Sequence, residues 1–190
     1  MKKYSTLFLL ILITISLNAQ NEKFNWEKEE ISTKSNNYSL RKSNDRLFIN
    51  NLKFKENETA ERKQYDPSRN EFSSVKLHSH DGFLKIFTDV FESKRIKVLA
   101  NFNERIVLFI RIDENAQVID VGFALGEDNK LTIEEIEKLE KQVLNNLKFD
   151  IVGKKLTEPI YYAWSIRVNF KEVEKGEIEF ARKSENYTGR

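Results

Sequence analysis

The stretch RIVLFIRIDENAQVIDVGFAL, residues 105–125, is the most regularly patterned part of the chain and predicts the centre of its fold. Apolar side chains alternate along each half, which is the period-two pattern of a strand with one buried face. A polar break, Asp113 to Ala116, separates the two halves. Two such runs joined by a short polar break predict a β-hairpin. The side chains predicted to face the core are Leu108, Ile110 and Ile112 in the first strand and Ile119, Val121, Phe123 and Leu125 in the second.

The turn of this hairpin has no Asn-Gly pair, the usual signal of a two-residue turn. Ala116 stands there instead, and alanine tolerates a positive φ poorly, so a longer loop is expected. Asp113 and Asp120 flank the turn. We expect these carboxylates to hydrogen-bond the loop backbone rather than to bind calcium.

The residues after the hairpin predict a long helix over Leu131–Phe149. Thr132 followed three residues later by Glu135 is a capping box, which marks the start of a helix. Ile136, Leu139, Val143 and Leu147 then recur at spacings of three and four, and this stripe predicts one buried face. Glu140 is expected on the solvent side of the stripe.

A shorter helix and a further strand flank this central part. The spacing of Phe83, Ile86, Phe87 and Val90 predicts the helix, with Asp81 as its N-cap. Residues 161–170 alternate between polar and apolar and predict a strand. The order predicts an α+β fold: a small antiparallel sheet, made of the hairpin and the returning strand, with the long helix packed on one face.

The rest of the chain is patterned more weakly. Residues 21–45 are polar and are interpreted as a flexible lead, and residues 46–55 as one or two short strands. Residues 95–102 predict a short strand or an extended link, and residues 176–183 a short last strand. The predicted division is a signal peptide over 1–19, a partly flexible lead over 20–70, the α+β domain over 71–182 and a polar tail over 183–190.

The N-terminus has the three-part pattern of a secretory signal. Lys2 and Lys3 precede an apolar run from Leu7 to Leu17, and Ala19 offers a small residue for cleavage. The run is shorter than the roughly 20 apolar residues of a membrane-spanning helix. We therefore expect an exported protein with no stable membrane insertion after cleavage, in the periplasm rather than fully secreted. The chain has no cysteine, so it must be stable without disulfides.

The charge composition argues against a nucleic-acid partner. The net charge of the chain is +2, and loss of Lys2 and Lys3 leaves 30 basic and 30 acidic residues. Nucleic-acid binders normally carry a basic excess on one face. Here both signs alternate along the chain, as in a solvated surface.

The pattern of residues 81–170 resembles the C-terminal domain of TonB-type proteins. The matching segments are the helix at Phe83–Val90 opened by Asp81-Gly82, the hairpin IDENAQVIDV (112–121), the helix start LTIE (131–134), the helix end NLKF (146–149) and the last strand YAWSIRVNF (162–170). Three features depart from that family: Ala116 stands where members commonly have Gly, Phe149-Asp150-Ile151 replaces an aromatic-x-Pro, and the chain has only two prolines. The resemblance therefore implies a stand-alone exported domain and not a complete energy transducer.

The resemblance also implies a mode of binding and a partner. In the family the last strand can pair with an extended segment of an envelope protein, by strand addition. By this implication the partner-binding residues are Tyr161, Ala163, Ser165, Arg167 and Asn169. The alternative is that this strand only fills the core and that residues 176–183 cover its edge.

No constellation in the sequence indicates catalysis or a cofactor. His78 and His80, with Asp81 beside them, are the weak candidate for a metal site, and zinc needs three or four ligands. A surface loop leading into a helix explains the same residues. Ser73, Ser74 and Ser79 lie nearby in sequence without an elbow or a glycine-rich frame. We predict a non-enzymatic binding or scaffolding domain of the cell envelope. The alternatives are a metal-dependent hydrolase that uses His78 and His80, or a purely structural envelope protein.

Overall fold

The computed structural model describes residues 29–53, 62–68 and 72–178, which form nine strands and four helices. The strands are β1 (Glu30–Ser32), β2 (Asn37–Ser43), β3 (Arg46–Asn51), β4 (Lys63–Gln64), β5 (Ser73–Leu77), β6 (Arg105–Asp113), β7 (Val118–Gly126), β8 (Phe149–Gly153) and β9 (Ile160–Asn169). The helices are α1 (His80–Val90), α2 (Ser93–Asn101), α3 (Ile133–Asn146) and α4 (Phe170–Lys175).

Seven of the strands form one sheet in the order β1-β2-β3-β7-β6-β9-β4, and β5 and β8 form a separate pair. Every neighbouring pair is antiparallel except β4 with β9. The fold class is therefore α+β, as predicted. The prediction of a small sheet was wrong, because three strands from the region interpreted as a lead extend the hairpin on its β7 side.

One face of the large sheet packs against the helices. Alternate residues of the strands and the apolar stripes of the helices share a single core. Burial of each large apolar side chain in such a core is worth about 1.5–3 kcal/mol. The central members are Leu47, Ile49, Leu108, Ile110, Phe123, Val168, Phe83, Phe87, Ile136, Leu139 and Val143, all at most 1% exposed. The opposite face of the sheet is covered by no helix of the described residues.

The β6–β7 hairpin lies at the centre of the sheet, as predicted. Its register shifts between Arg111, which pairs with Asp120, and Ile112, which pairs with Val118. This bulge places Val118 against the core, whereas strict alternation had predicted Ile119 there. The extra residue in one strand reverses the side-chain faces beyond it.

The predicted capping box of α3 is present. The Thr132 side chain accepts from the Glu135 N–H at 3.3 Å, and the Glu135 carboxylate accepts from the Thr132 N–H at 2.9 Å. Glu135 also forms an ion pair with Arg95 of α2 at 2.6 Å.

For α1 the predicted cap was wrong: the Ser79 side chain accepts from the Gly82 N–H at 3.0 Å, and Asp81 lies in the first turn. Serine fills this role because the helix starts two residues earlier than an Asp81 cap would place it.

Two weaker predictions differ from the structure. Residues 30–43, interpreted as part of a flexible polar lead, form β1 and β2, because Tyr38 and Leu40 alternate into the core between polar neighbours. The strand predicted within residues 46–55 is present as β3. The segment after Glu92 is the helix α2, whose Ile96, Leu99 and Ala100 are buried. The described residues do not include the predicted signal peptide, residues 21–28, 54–61 and 69–71, or the part of the predicted last strand beyond Ile178. No helix within the described ranges is long and apolar enough to span a membrane.

Candidate functional site

The strand β9, which carries the predicted partner-binding residues, lies one position from the end of the large sheet. On one side it pairs with β6 along its length, from Tyr161 opposite Asp113 to Asn169 opposite Arg105. On the other side it pairs with the short β4 only at Ile160 and Tyr161. No strand of the described part pairs with residues 162–169 on that side, which is called the β9 edge below.

The backbone groups that face the β9 edge belong to the predicted residues. The N–H groups of Lys63 and Tyr65 donate to the carbonyls of Pro159 and Tyr161, so these two carbonyls point away from β6. Successive residues of a strand point their N–H and C=O groups to alternate sides. Ala163, Ser165 and Arg167 therefore direct both groups to the β9 edge.

The intervening residues hold β9 in the core. Tyr162, Ile166 and Val168 are buried, and Trp164 makes edge contacts with Phe83 and Phe149 at ring-centroid distances of 6.3 and 5.1 Å. The Tyr162 hydroxyl hydrogen-bonds the Ser73 hydroxyl of β5. The edge is therefore presented by a strand that cannot rotate without breaking these contacts.

Two of the five predicted residues are already engaged. Asn169 caps α4, because its side-chain oxygen accepts from the Lys171 N–H at 3.0 Å. Tyr161 lies under the Arg111 guanidinium at 5.1 Å from its ring centroid, and its hydroxyl donates to Gln64 at 3.4 Å. Ala163, Ser165 and Arg167 are exposed. These three residues form the part of the predicted set that a partner can contact most directly.

The side chains of Ala163, Ser165 and Arg167 lie on the sheet face opposite the helices, called the open face below. The open face also carries aromatic rings: Phe48 of β3 and Phe109 of β6 stack with centroids 6.2 Å apart, and Phe109 is 40% exposed. Arg41 lies over the Phe48 ring at 5.5 Å. Ala124, the strand neighbour of Phe48 and Val107, is almost fully buried beside them.

A shallow depression of about 230 Å³ lies on the open face next to β9. Small residues of β7 and β9 surround two larger side chains of β6, Phe109 and Arg111. Gly122 leaves room there for the Asn50 side chain, because a Cβ at this position would lie 2.5 Å from the Asn50 side-chain oxygen. The depression is lined mainly by Asn50, Phe109, Arg111, Gly122, Ala163 and Ser165.

The charges in the depression form one ion pair. The Arg111 guanidinium lies 3.2 Å from the Asp120 carboxylate on the neighbouring strand. Burial raises the pKa of Asp120, and Arg111 opposes this effect. Asp120 therefore pairs with a side chain and not with the turn, unlike the prediction. Asp113 behaves as predicted: its carboxylate accepts from the N–H groups of Asn115 and Gln117, each at 2.8 Å.

A buried polar cluster in the core was not predicted from the sequence. Glu140, predicted on the solvent side of α3, is 2% exposed, because β1–β3 extend the sheet beneath it. Its carboxylate accepts from the Tyr38 hydroxyl at 2.7 Å and from the Asn51 side chain at 3.1 Å. Burial raises the pKa of Glu140, and these two hydrogen bonds partly offset the effect. The cluster joins α3 to β2 and β3.

The two histidines do not share a strand. His78 follows β5 and contacts Asp150 at 2.9 Å, whereas His80 is the first residue of α1. Of the nearby serines, Ser73 bonds Tyr162 and Ser79 caps α1. Among the residues that the structure describes, no group of three or more His, Cys, Asp or Glu side chains is arranged to hold a metal ion.

Comparison with known proteins bears on the fold. No protein-family model matches the chain, and no curated protein matches it. The chain is similar in structure to a DUF5043 family protein from Bacteroides uniformis, with a TM-score of 0.56 and 13% sequence identity. The match covers 80% of this chain and 97% of that protein. The likeness supports the mixed α+β architecture described above.

Proposed function

We propose that the protein is an exported, non-enzymatic binding domain of the cell envelope, of the TonB C-terminal type, which recognises an extended protein segment by strand addition at the β9 edge. The observation that carries the proposal is the one-sided pairing of β9 beyond Tyr161 within the described residues. An unpaired edge presents a row of N–H and C=O groups that another strand can satisfy.

The arrangement of elements supports the proposed class. The helix α1, the hairpin β6–β7, the helix α3 and the returning strand β9 follow one another in the order that the resemblance implies. The last of these strands lies beside the hairpin, and among the described residues no strand pairs with its outer side beyond Tyr161.

The residues just after α4 do not occupy the edge. The N–H groups of Gly176 and Glu177 donate to the carbonyls of Val173 and Glu172, which closes the end of α4. Residues 179–183, the other part of the alternative cover, lie outside the described residues. The experiment must therefore separate a partner from the tail of the chain.

The expected strength of binding follows from the backbone groups. Ala163, Ser165 and Arg167 offer three donors and three acceptors. At about 1 kcal/mol net for each hydrogen bond, six bonds give about 6 kcal/mol. Loss of rigid-body freedom on association offsets several kcal/mol of this gain. Side-chain contacts on the open face must therefore supply selectivity and the rest of the affinity.

The test is a pull-down from envelope extract with Ala163→Pro, which removes a donor from the β9 edge. Glu30→Pro is the matched control, because the Glu30 N–H points out of the opposite edge of the same sheet. The inward-facing groups belong to odd-numbered residues: the Glu29 carbonyl accepts from the Leu40 N–H of β2, and the Thr33 N–H donates to the Asn36 carbonyl in the turn before β2. Circular dichroism must first show that both variants fold.

We expect the wild type and Glu30→Pro to retain the same partner and Ala163→Pro to lose it at least tenfold. A chain that lacks residues 179–190 should retain the partner as well. Equal recovery by Ala163→Pro and Glu30→Pro, or no specific partner for the wild type, would contradict the proposal.

A further inference from the structure

We infer that the segment bound at the β9 edge is acidic and carries an aromatic residue two positions from its acidic one. This inference rests on the proposed function and adds the chemistry of the partner. It is carried by the distribution of charge and aromatic surface on the open face.

The open face is rich in arginine. The strand registers place Arg41, Arg46, Arg105, Arg111 and Arg167 on it. The carboxylates on the same face of the described strands are Glu30, Asp113 and Asp120. A face with this excess attracts an anionic partner, although the chain as a whole is nearly neutral.

The carboxylates nearest β9 are already satisfied within the fold. Asp113 accepts two hydrogen bonds from the hairpin turn, and Asp120 pairs with Arg111. Arg105 and Arg167 are exposed, and neither makes an ion pair with another residue of the described ranges. The charge beside the β9 edge is therefore positive and uncompensated by the described strands.

A strand added at the β9 edge brings its own side chains onto this surface. Its alternate residues stand opposite Ala163, Ser165 and Arg167, with Cβ atoms about 4.5–5.5 Å apart. A carboxylate opposite Arg167 forms a cross-strand ion pair at that distance. Arginine favours such a partner because its planar guanidinium can bind a carboxylate with two parallel hydrogen bonds.

The depression selects the neighbouring side chain. Because Ala163 and Ser165 are small, they leave the Phe109 ring accessible from the β9 side. The added strand lies two strand spacings from β6, roughly 10 Å. A long aromatic side chain opposite Ser165 can lean over that serine and contact Phe109, whereas alanine cannot reach it. Ser165 and Arg167 are two residues apart, which sets the spacing of the aromatic and acidic residues.

The experiment uses fluorescein-labelled nine-residue peptides with a threonine background and blocked ends. One peptide carries Glu-Thr-Phe at its centre. Three others carry Phe-Thr-Glu, Lys-Thr-Phe or Glu-Thr-Ala there. A fifth peptide carries Glu-Thr-Phe and has N-methylated backbone amides. Both orders of the acidic and aromatic residues are needed because the direction of the added strand is open. Binding to the purified chain is measured by fluorescence anisotropy at low and high salt.

We expect one of the two acidic aromatic peptides to bind at least tenfold more tightly than the Lys and Ala peptides, with binding that weakens in high salt. Arg167→Gln should remove most of the preference for Glu over Lys. Arg46→Gln changes an arginine of the same face on β3. It is the matched control and should retain the preference for Glu over Lys.

The possible outcomes distinguish failure of the acidic and aromatic preference from failure of strand addition itself. Equal binding of the Glu and Lys peptides, with loss on N-methylation, would overturn the acidic preference and leave strand addition intact. Equal binding of the methylated and unmethylated peptides would instead contradict strand addition. Three further results would overturn the inference. They are tighter binding of a labelled oligo-dT than of the acidic aromatic peptides, a dimer of the chain that Arg167→Gln dissociates, and no binding of any peptide.

Discussion

Glu140 shows how a single ionisable residue is held in this core. One of its oxygens accepts from Tyr38 and Asn51, and the other has no hydrogen-bond partner within the described residues. An unpaired oxygen of a buried carboxylate favours the protonated form, in keeping with the raised pKa of Glu140. The residue therefore makes the stability of the fold depend on pH.

The sign of this dependence follows from the direction of the pKa. Below pH 4.5, the ordinary value, the Glu140 carboxyl is protonated in both the folded and the unfolded states. As the pH rises, the unfolded state ionises first, so the free energy of unfolding falls until the higher folded pKa is passed. We predict that Glu140→Gln becomes more stable relative to the wild type between pH 4 and pH 7.

Chemical denaturation at both pH values measures this difference. Glu134→Gln, at an exposed position of the same helix, is the control and should follow the wild-type profile. Tyr38→Phe should lower stability at pH 7 by about 2 kcal/mol, because a buried carboxylate loses a donor. If Glu140→Gln instead becomes less stable relative to the wild type toward pH 7, the folded state favours the ionised Glu140 carboxylate and the prediction is wrong.

At the scale of the element, the hairpin β6–β7 contains a strained turn. Ala116 has a φ of +65°, and its N–H donates to the Asp113 carbonyl at 3.0 Å. The left-handed region costs an L-residue roughly 1–2 kcal/mol, and glycine adopts it freely. The loop is longer than two residues, as predicted, yet it still requires a positive φ at alanine.

We predict that Ala116→Gly raises the free energy of unfolding by about 0.5–1 kcal/mol, since relief of strain exceeds the added entropy of the unfolded chain. Ala163→Gly, in extended backbone, is the matched control and should lower it. Denaturant titration measures the free energy of unfolding of both variants. Destabilisation of similar size in the two variants would contradict a strained turn.

The sequence predicted the elements whose signals are local. The capping box of α3 and the alternation of β6 and β9 depend on residues close in sequence, and these elements are present. The helix α2 was missed because its apolar residues, Ile96, Leu99 and Ala100, form a narrow stripe in a basic segment. The strand β2 was missed because Tyr38 and Leu40 stand alone among polar neighbours.

At the scale of the whole molecule, the sheet order could not be read from the chain. The strand β3 pairs with β7, which lies more than seventy residues later, and β4 joins the far side through two residue pairs. Such long-range pairings leave no local signal, so the composition of the open face could not be predicted from the sequence. Its arginines and rings come from four strands and are adjacent only in the folded sheet.

The candidate site was predictable in part. Alternation along residues 161–169 identified which side chains share a face. The position of β4 could not be predicted. It decides that Ala163, Ser165 and Arg167 direct their backbone groups to an edge with no partner strand in the described part. The contribution of Phe109 and Arg111 to the same surface depends on the β6–β9 register.

The β9 edge is available for another strand if its outward amides are unprotected, and amide hydrogen exchange followed by NMR tests this most directly. The amides of Trp164, Ile166 and Val168 point toward β6 and should be strongly protected. The amides of Ala163, Ser165 and Arg167 point to the β9 edge and should exchange at least a hundredfold faster. Comparable protection of both sets would show that another part of the chain already pairs with β9, and would contradict the account.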